Sequence, residues 1–193
     1  MSRLLVLLSH SLHVRNFLAS GCLEMVAARG HRITLLLPGS LRAEVVETSD
    51  LDRVAERVLP MEPYVGGGAR ARLRASLRVA SFVHRRGLKT YQHKIKLNRA
   101  PWFRLQVAVY GLVQRNWDLE RLARRIEMCL PPRRAAARLI REVDPDLFFY
   151  PTLIHEGAEV ELLKAARALG IPSVAFPASW DTLTSKGCFL VPP

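Results

Sequence analysis

No apolar run in the 193 residues is long enough to cross a bilayer: stretches such as Leu4–Leu8 fall far short of the roughly 20 residues a span needs. The opening MSRLLVLLSHSLH has too short an apolar core for a signal peptide, and no small-x-small cleavage site follows it; it reads as a buried first strand. Cysteine is scarce. Cys22, Cys129 and Cys188 are odd in number and lack CxxC or nearby CxxH partners, which excludes a disulfide framework and a zinc site and predicts reduced core thiols in the cytoplasm. There is no GxGxxG, and Gly66-Gly67-Gly68 lacks the GK[ST] of a phosphate loop. That triplet reads as a linker, and neither a cofactor nor a metal is expected.

Carboxylates are the other shortage. The chain has 17 Asp+Glu against 29 Lys+Arg, a net charge of +12. Residues 66–142 hold 19 basic against 4 acidic residues, and the remainder 10 against 13. One segment therefore carries the whole excess, which suggests that it has a partner of its own.

What is present is a βα rhythm. Arg3–Leu8 is a short apolar run, the mark of a strand buried on both faces. A loop over Ser9–Val14 follows, then a helix from Arg15 with Leu18, Cys22, Met25 and Val26 at helical spacing, stopped by Gly30. Arg32–Leu37 is a second strand, so the first 37 residues make a right-handed βαβ unit with parallel strands. A weak helix over Arg42–Ser49 leads to an edge strand near Val54–Leu59, although DRVAERV fits a helix equally well.

Residues 66–142 are helix after helix: Leu73, Leu77, Ala80, His84, Leu88, Tyr91 and Ile95 form one stripe, and Leu119, Leu122, Ala123, Ile126 and Leu130 another. His84 is expected to be a packed histidine. The rhythm returns with strands at Leu147–Tyr150 and Ser173–Phe176 around a helix over Gly157–Leu169. The expected fold is α/β: a doubly wound, Rossmann-like parallel sheet with the first strand central, built from residues 1–65 and 143–193, with a basic helical insertion over 66–142.

In such a sheet, ligands bind beyond the carboxyl ends of the strands, where strand order reverses. That rule selects the loops Ser9–Asn16, Pro38–Leu41, Pro60–Gly68, Pro151–Glu156 and Pro177–Gly187. The first offers His10, Ser11, His13, Arg15 and Asn16. A histidine ahead of a helix can act as a general base, since its pKa lies near working pH, and a helix N-terminus with Arg15 favours an anion. The alternative is that His10 and His13 are solvated loop residues. Glu156 is either a favourable first-turn charge or an acid. In SWDTLTSKG, Trp180, Asp181 and Lys186 can stack on, hydrogen-bond to and ion-pair with a polar ligand; Trp180 can instead plug the loop.

The strand–HxxHVRNF–helix–GH–strand opening, with the later PDLFFYPT–helix–GIPSVAFPASWDTLTSKG, resembles the amino-terminal half of GT-B glycosyltransferases. Bacterial surface-carbohydrate proteins of the CDP-glycerol glycerophosphotransferase-like and UDP-N-acetylglucosamine 2-epimerase-like group are the nearest in kind. The likeness covers residues 3–37 and 144–190. Where that group commonly reads Trp-Asp-Asn, this chain has Thr182 in third place, so no role is carried over to it.

The resemblance implies an acceptor-binding half. His13 would deprotonate an acceptor hydroxyl, His10, Ser11, Arg15 and Asn16 would position substrate, and Glu156, Trp180, Asp181 and Lys186 would line the cleft. A nucleotide-linked donor would bind a carboxyl-terminal domain expected to be absent from this chain, or supplied by a partner chain. The expected activity is glycosyl or glycerophosphoryl transfer to a carbohydrate or lipid-linked acceptor in polysaccharide or glycolipid biosynthesis, with the isolated chain silent. Two alternatives stand beside it: a non-catalytic subunit that recruits a split transferase to the membrane, and a basic nucleic-acid-binding protein. Against nucleic acid, Trp102, Phe103, Tyr110 and Trp117 sit in an apolar, helical context and are not interleaved along a sheet. Arginine-rich helices beside PWFRLQVAVYGLV point to peripheral contact with an anionic membrane surface.

Overall fold

The computed structural model describes residues 1–41, 51–64, 67–151, 157–177 and 191, with backbone alone at 90 and 94. Five parallel strands form one sheet in the order β3-β2-β1-β4-β5. They are β1 (Arg3–Leu7), β2 (Arg32–Leu37), β3 (Arg57–Pro60), β4 (Leu147–Tyr150) and β5 (Ser173–Ala175). The first strand is central, as the sequence predicts: Val6 is in register with Leu35 on one side and Phe149 on the other. The third strand is an edge, and it starts at Arg57 because Leu51–Val54 forms a short helix ahead of it.

Alternation along β1 fixes the two cores. Leu5 and Leu7, with Leu36, Phe148 and Tyr150, pack under the helices Arg134–Val143 and Ala158–Ala168. Val6 and Leu8, with Ile33, Leu35 and Leu37, pack under Phe17, Leu18 and Leu23 on the opposite face. Each fully buried leucine contributes about 1.5–3 kcal/mol.

The helices are α1 (Ser11–His13), running straight into a π-helical stretch over Val14–Ala19, then α2 (Cys22–Ala28) and α3 (Leu51–Val54). The basic segment supplies α4 (Gly68–His84), α5 (Lys89–Leu97), α6 (Pro101–Val113), α7 (Leu119–Cys129) and α8 (Arg134–Val143). The last, α9 (Ala158–Ala168), lies between β4 and β5 in sequence.

Three sequence expectations are corrected. Residues 9–14 are not a loop, since helix begins at Ser11; His13, read as polar, is buried and extends the core-facing side that Phe17 and Leu18 continue. The stripe from Leu73 to Ile95 is split between α4 and α5 by a turn at residues 85–88, and Leu88 is exposed. Cys129 is exposed and Cys22 half-buried, so neither is a core thiol; both are free. The helix expected at 42–49, Cys188 and part of the glycine linker lie outside the described residues.

The helical layer is joined to the sheet by buried charge. Arg74 of α4 donates to Glu127 of α7 through Nε at 3.0 Å and Nη2 at 2.7 Å, and to Glu161 of α9 at 2.7 Å. Lys164 of α9 reaches Glu127 at 2.8 Å, and the Arg133 backbone N–H donates to Glu161 at 2.8 Å. All four charged side chains are buried. Burial pushes the Glu127 carboxyl up, but the hydrogen bonds from Arg74 and Lys164 outweigh it and hold the group below the usual carboxylate range. The sequence hides this cluster because charged residues are ordinarily assigned to solvent. Its one signal is that Glu127 continues the i, i+4 line of buried Leu119 and Ala123.

Candidate functional site at the carboxyl edge of the sheet

Because all five strands are parallel, the turns that follow them open on one edge. The chain leaving β1 enters α1 and the core under Phe17, whereas the chain after β4 leads to α9 and the core on the other face. β1 and β4 are neighbours, so strand order reverses between them, the place beyond whose carboxyl ends sheets of this kind bind ligands.

His10 stands at that edge, between β1 and α1. It has extended backbone (φ −140°, ψ 154°) and makes no side-chain cap; its carbonyl accepts from the His13 N–H at 2.9 Å. The two imidazoles, three residues apart, meet edge to face with centroids 5.4 Å apart. His13 is buried, 4% exposed, while His10 is exposed. Burial first, and the neighbouring His10 second, lower the His13 pKa from 6.5 to about 4. Its Nδ1 has no hydrogen-bond partner among the described residues, nor does the Ser9 hydroxyl. At neutral pH His13 is therefore a neutral imidazole with an unused polar atom at the sheet edge.

Four residues past His13, the buried Phe17 centres an aromatic cluster. Phe17 makes edge-to-face contacts with Phe149 of β4 at 5.3 Å and with Phe176, just past β5, at 5.4 Å. The π-helical stretch carries Phe17 at this point; such bulges recur at functional sites. It ends where the Ser20 hydroxyl donates to the Asn16 carbonyl at 2.6 Å and Gly21 adopts φ 75°. A side chain at Gly21 would strain the backbone.

Of the residues the sequence selects, His10, Ser11 and His13 come together at the edge. Arg15 and Asn16 are exposed one turn further along the helix, not at its N-terminus. Glu156, Trp180, Asp181 and Lys186 lie outside the described residues. The sequence reading missed Glu62. It stands beyond β3 on the same edge, and its carboxylate accepts the Gly39 backbone N–H from the turn after β2. That bond is the main reason its pKa falls below the ordinary range. A cleft lined by Ala27, Arg32 and Glu56 opens at the opposite, amino-terminal edge and plays no part here. Among the described residues no cluster of three or more metal-binding side chains occurs.

The fold is a doubly wound α/β domain built on one five-stranded parallel sheet. No protein-family model matches the sequence, and no curated protein matches it. Among solved structures, the chain is similar to one described as the glycotransferase of kitacinnamycin, at 18% sequence identity and a TM-score of 0.41. That similarity covers 90% of this chain and 30% of the other, so the chain spans less than a third of that protein's length.

Proposed function

We propose that this chain is the acceptor-binding unit of a glycosyl or glycerophosphoryl transferase whose nucleotide-linked donor is held by a second α/β unit. The observation that carries the reading is the His10–His13 pair at the switch point between β1 and β4. The resemblance of the HxxHVRNF opening to acceptor-side domains supports it.

In this reading the acceptor lies along the carboxyl edge, its apolar face against Phe176, which is 48% exposed. Its hydroxyl presents a proton to His13, which stays neutral and receptive at working pH. A pKa of about 4 makes His13 a weak base in the open domain. The negative charge of a donor phosphate closing over the edge raises its proton affinity when it is needed. His10, Ser11, Arg15 and Asn16 orient the acceptor, and Glu156, Trp180, Asp181 and Lys186 complete the cleft. Bacterial surface polysaccharide or glycolipid is the proposed product class.

The test uses the chain itself. Titrating it with polyol and saccharide acceptors should move the His10 and His13 ring resonances in NMR spectra. UDP-, CDP- and GDP-linked donors should bind no tighter than about millimolar, roughly −4 kcal/mol. Micromolar donor binding would reassign the domain to the donor side.

A further inference from the structure

The helix α6 (Pro101–Val113) has two apolar faces, and among the described residues only one of them is packed. Phe103, Val107, Tyr110 and Val113 pack inward, half-buried, against Val79, Ala80, Val83 and Leu119. Trp102, Leu105, Val109 and Leu112 are 69%, 53%, 48% and 61% exposed. Their spacing of three, four and three residues is that of a single helical stripe. Leu97, just ahead of the helix, and Trp117, just after it, are exposed as well. A stripe this long with no described residue covering it marks a binding surface.

The charge around it identifies what binds. Residues 63–117 contain 12 Lys and Arg and not one Asp or Glu. Several basic residues of the wider segment are committed: Arg70 and Arg74 to Glu161, Arg85 and Arg124 to Glu120, Arg121 to Asp118. Arg86, Lys89, Lys96, Arg99, Arg104 and Arg115 are exposed, and none pairs with a carboxylate among the described residues. Arg86 stands at the flank of α6, its Nη1 3.7 Å from where a Cβ on Gly111 would sit. Helical spacing puts Arg104 on the same flank as Gly111.

We infer that the outward face of α6 lies on an anionic lipid surface, with Trp102, Leu105, Val109 and Leu112 in the headgroup–acyl boundary and the arginines against lipid phosphates. A second copy of this chain does not fit, because it would bring a carboxylate-free, positive face against its like. Duplex nucleic acid would satisfy the arginines but leave the aliphatic stripe without a use. At 13 residues, about 20 Å, α6 lies along the surface; no helix among the described residues is long and apolar enough to cross. The inference is independent of the transferase reading, since it uses no residue of the carboxyl edge.

The full chain should co-sediment with vesicles of equal parts phosphatidylcholine and phosphatidylglycerol at least about tenfold more strongly than with phosphatidylcholine alone. Binding should fall as salt shortens the screening length from about 10 Å at 0.1 M to 3 Å at 1 M. Leu105→Glu with Leu112→Glu, both at exposed positions, should cut partitioning about tenfold with the melting temperature unchanged. Arg86→Glu with Arg104→Glu should cut it too and flatten the salt dependence, a second route if the first variant folds poorly. Equal binding to both vesicle types overturns the inference, as does unaltered binding by both variants. So does salt-sensitive binding to duplex DNA stronger than to anionic vesicles, or a dimer that the leucine variant abolishes.

Discussion

In the sheet, Leu5, Leu7, Leu35, Leu36 and Leu37 are wholly buried among other apolar side chains. At the seam where the basic helices meet α9, Arg74, Glu127, Glu161 and Lys164 are as deeply buried, and all four are charged. The first region gains stability from area removed from water and tolerates changes that conserve volume. The second gains little net free energy from its ions, because desolvation offsets most of their attraction, yet each ion is costly to orphan. A strongly positive segment can thus be anchored to a near-neutral sheet: two of its arginines, Arg70 and Arg74, pair with Glu161 of α9, and Glu127 receives Lys164 in return.

Removing one ion should break that seam with the largest effect. Glu127→Leu would leave Arg74 buried with Glu161 and Lys164 buried with the backbone carbonyl of residue 127 in place of a carboxylate, and should destabilise the chain by about 3–5 kcal/mol in urea unfolding. Replacing Arg74, Glu127 and Lys164 together by apolar residues of similar volume, with Glu161 kept for Arg70 and the Arg133 N–H, should recover most of the loss. A sheet variant such as Leu5→Ala, costing about 2–5 kcal/mol, should have no such rescue by a charge partner. If Glu127→Leu costs under about 1 kcal/mol, the seam is held by apolar packing and the contrast between the regions fails.

Acid should separate the regions next. His13 has a folded-state pKa of about 4 against 6.5, so the unfolded chain takes up its proton first. Its stabilising contribution is complete above pH 6.5 and is lost as pH falls toward 4, on the order of 3 kcal/mol in all. Glu127, whose pKa is lowered from 4.5, loses its contribution only at lower pH, as protonation reaches the folded state. Unfolding free energy should therefore decline between pH 6.5 and 4.5, and His13→Leu should flatten that decline. A variant with the parent's slope would place His13 in contact with water.

The sequence and structure agree where burial is symmetrical and part where a polar residue is buried. A five-residue apolar run bounded by polar residues is too short for a typical buried helix and fits a doubly covered strand, so β1, its central place and the parallel order follow from Arg3–Leu8 and the spacing of later runs. His13 and Glu127 carry polar labels that periodicity counts as solvent-facing, and the core takes both. The start of α1, the π-helical stretch and the buried seam were therefore illegible. The candidate edge is selected by a rule about parallel sheets, not by residue type, and His10, Ser11 and His13 lie on the chain that leaves β1 there. Glu62 is not legible, because its partner is the backbone of Gly39, 23 residues away, and backbone partners leave no trace in side-chain spacing.

The smallest expected effects test whether surface charge in the helical layer stabilises the fold at all. Asp118 caps α7: its carboxylate accepts the Arg121 backbone N–H at 3.0 Å, and this bond is the first reason its pKa lies below the usual range. The Arg121 side chain also reaches the same carboxylate at 3.1 Å but is 81% exposed. The two contacts use the two oxygens of one carboxylate and differ in kind. The cap satisfies a helix N–H that has no partner within the helix, so Asp118→Ala should cost about 1 kcal/mol. The ion pair competes with water and salt, so Arg121→Ala should change stability by less than about 0.5 kcal/mol, and nothing measurable should remain at 1 M salt. Thermal unfolding of both variants at low and high salt reads the difference directly. If Arg121→Ala matches Asp118→Ala at low salt and the two separate at high salt, surface charge does hold the helical layer, and the division of labour between its buried and exposed arginines is wrong.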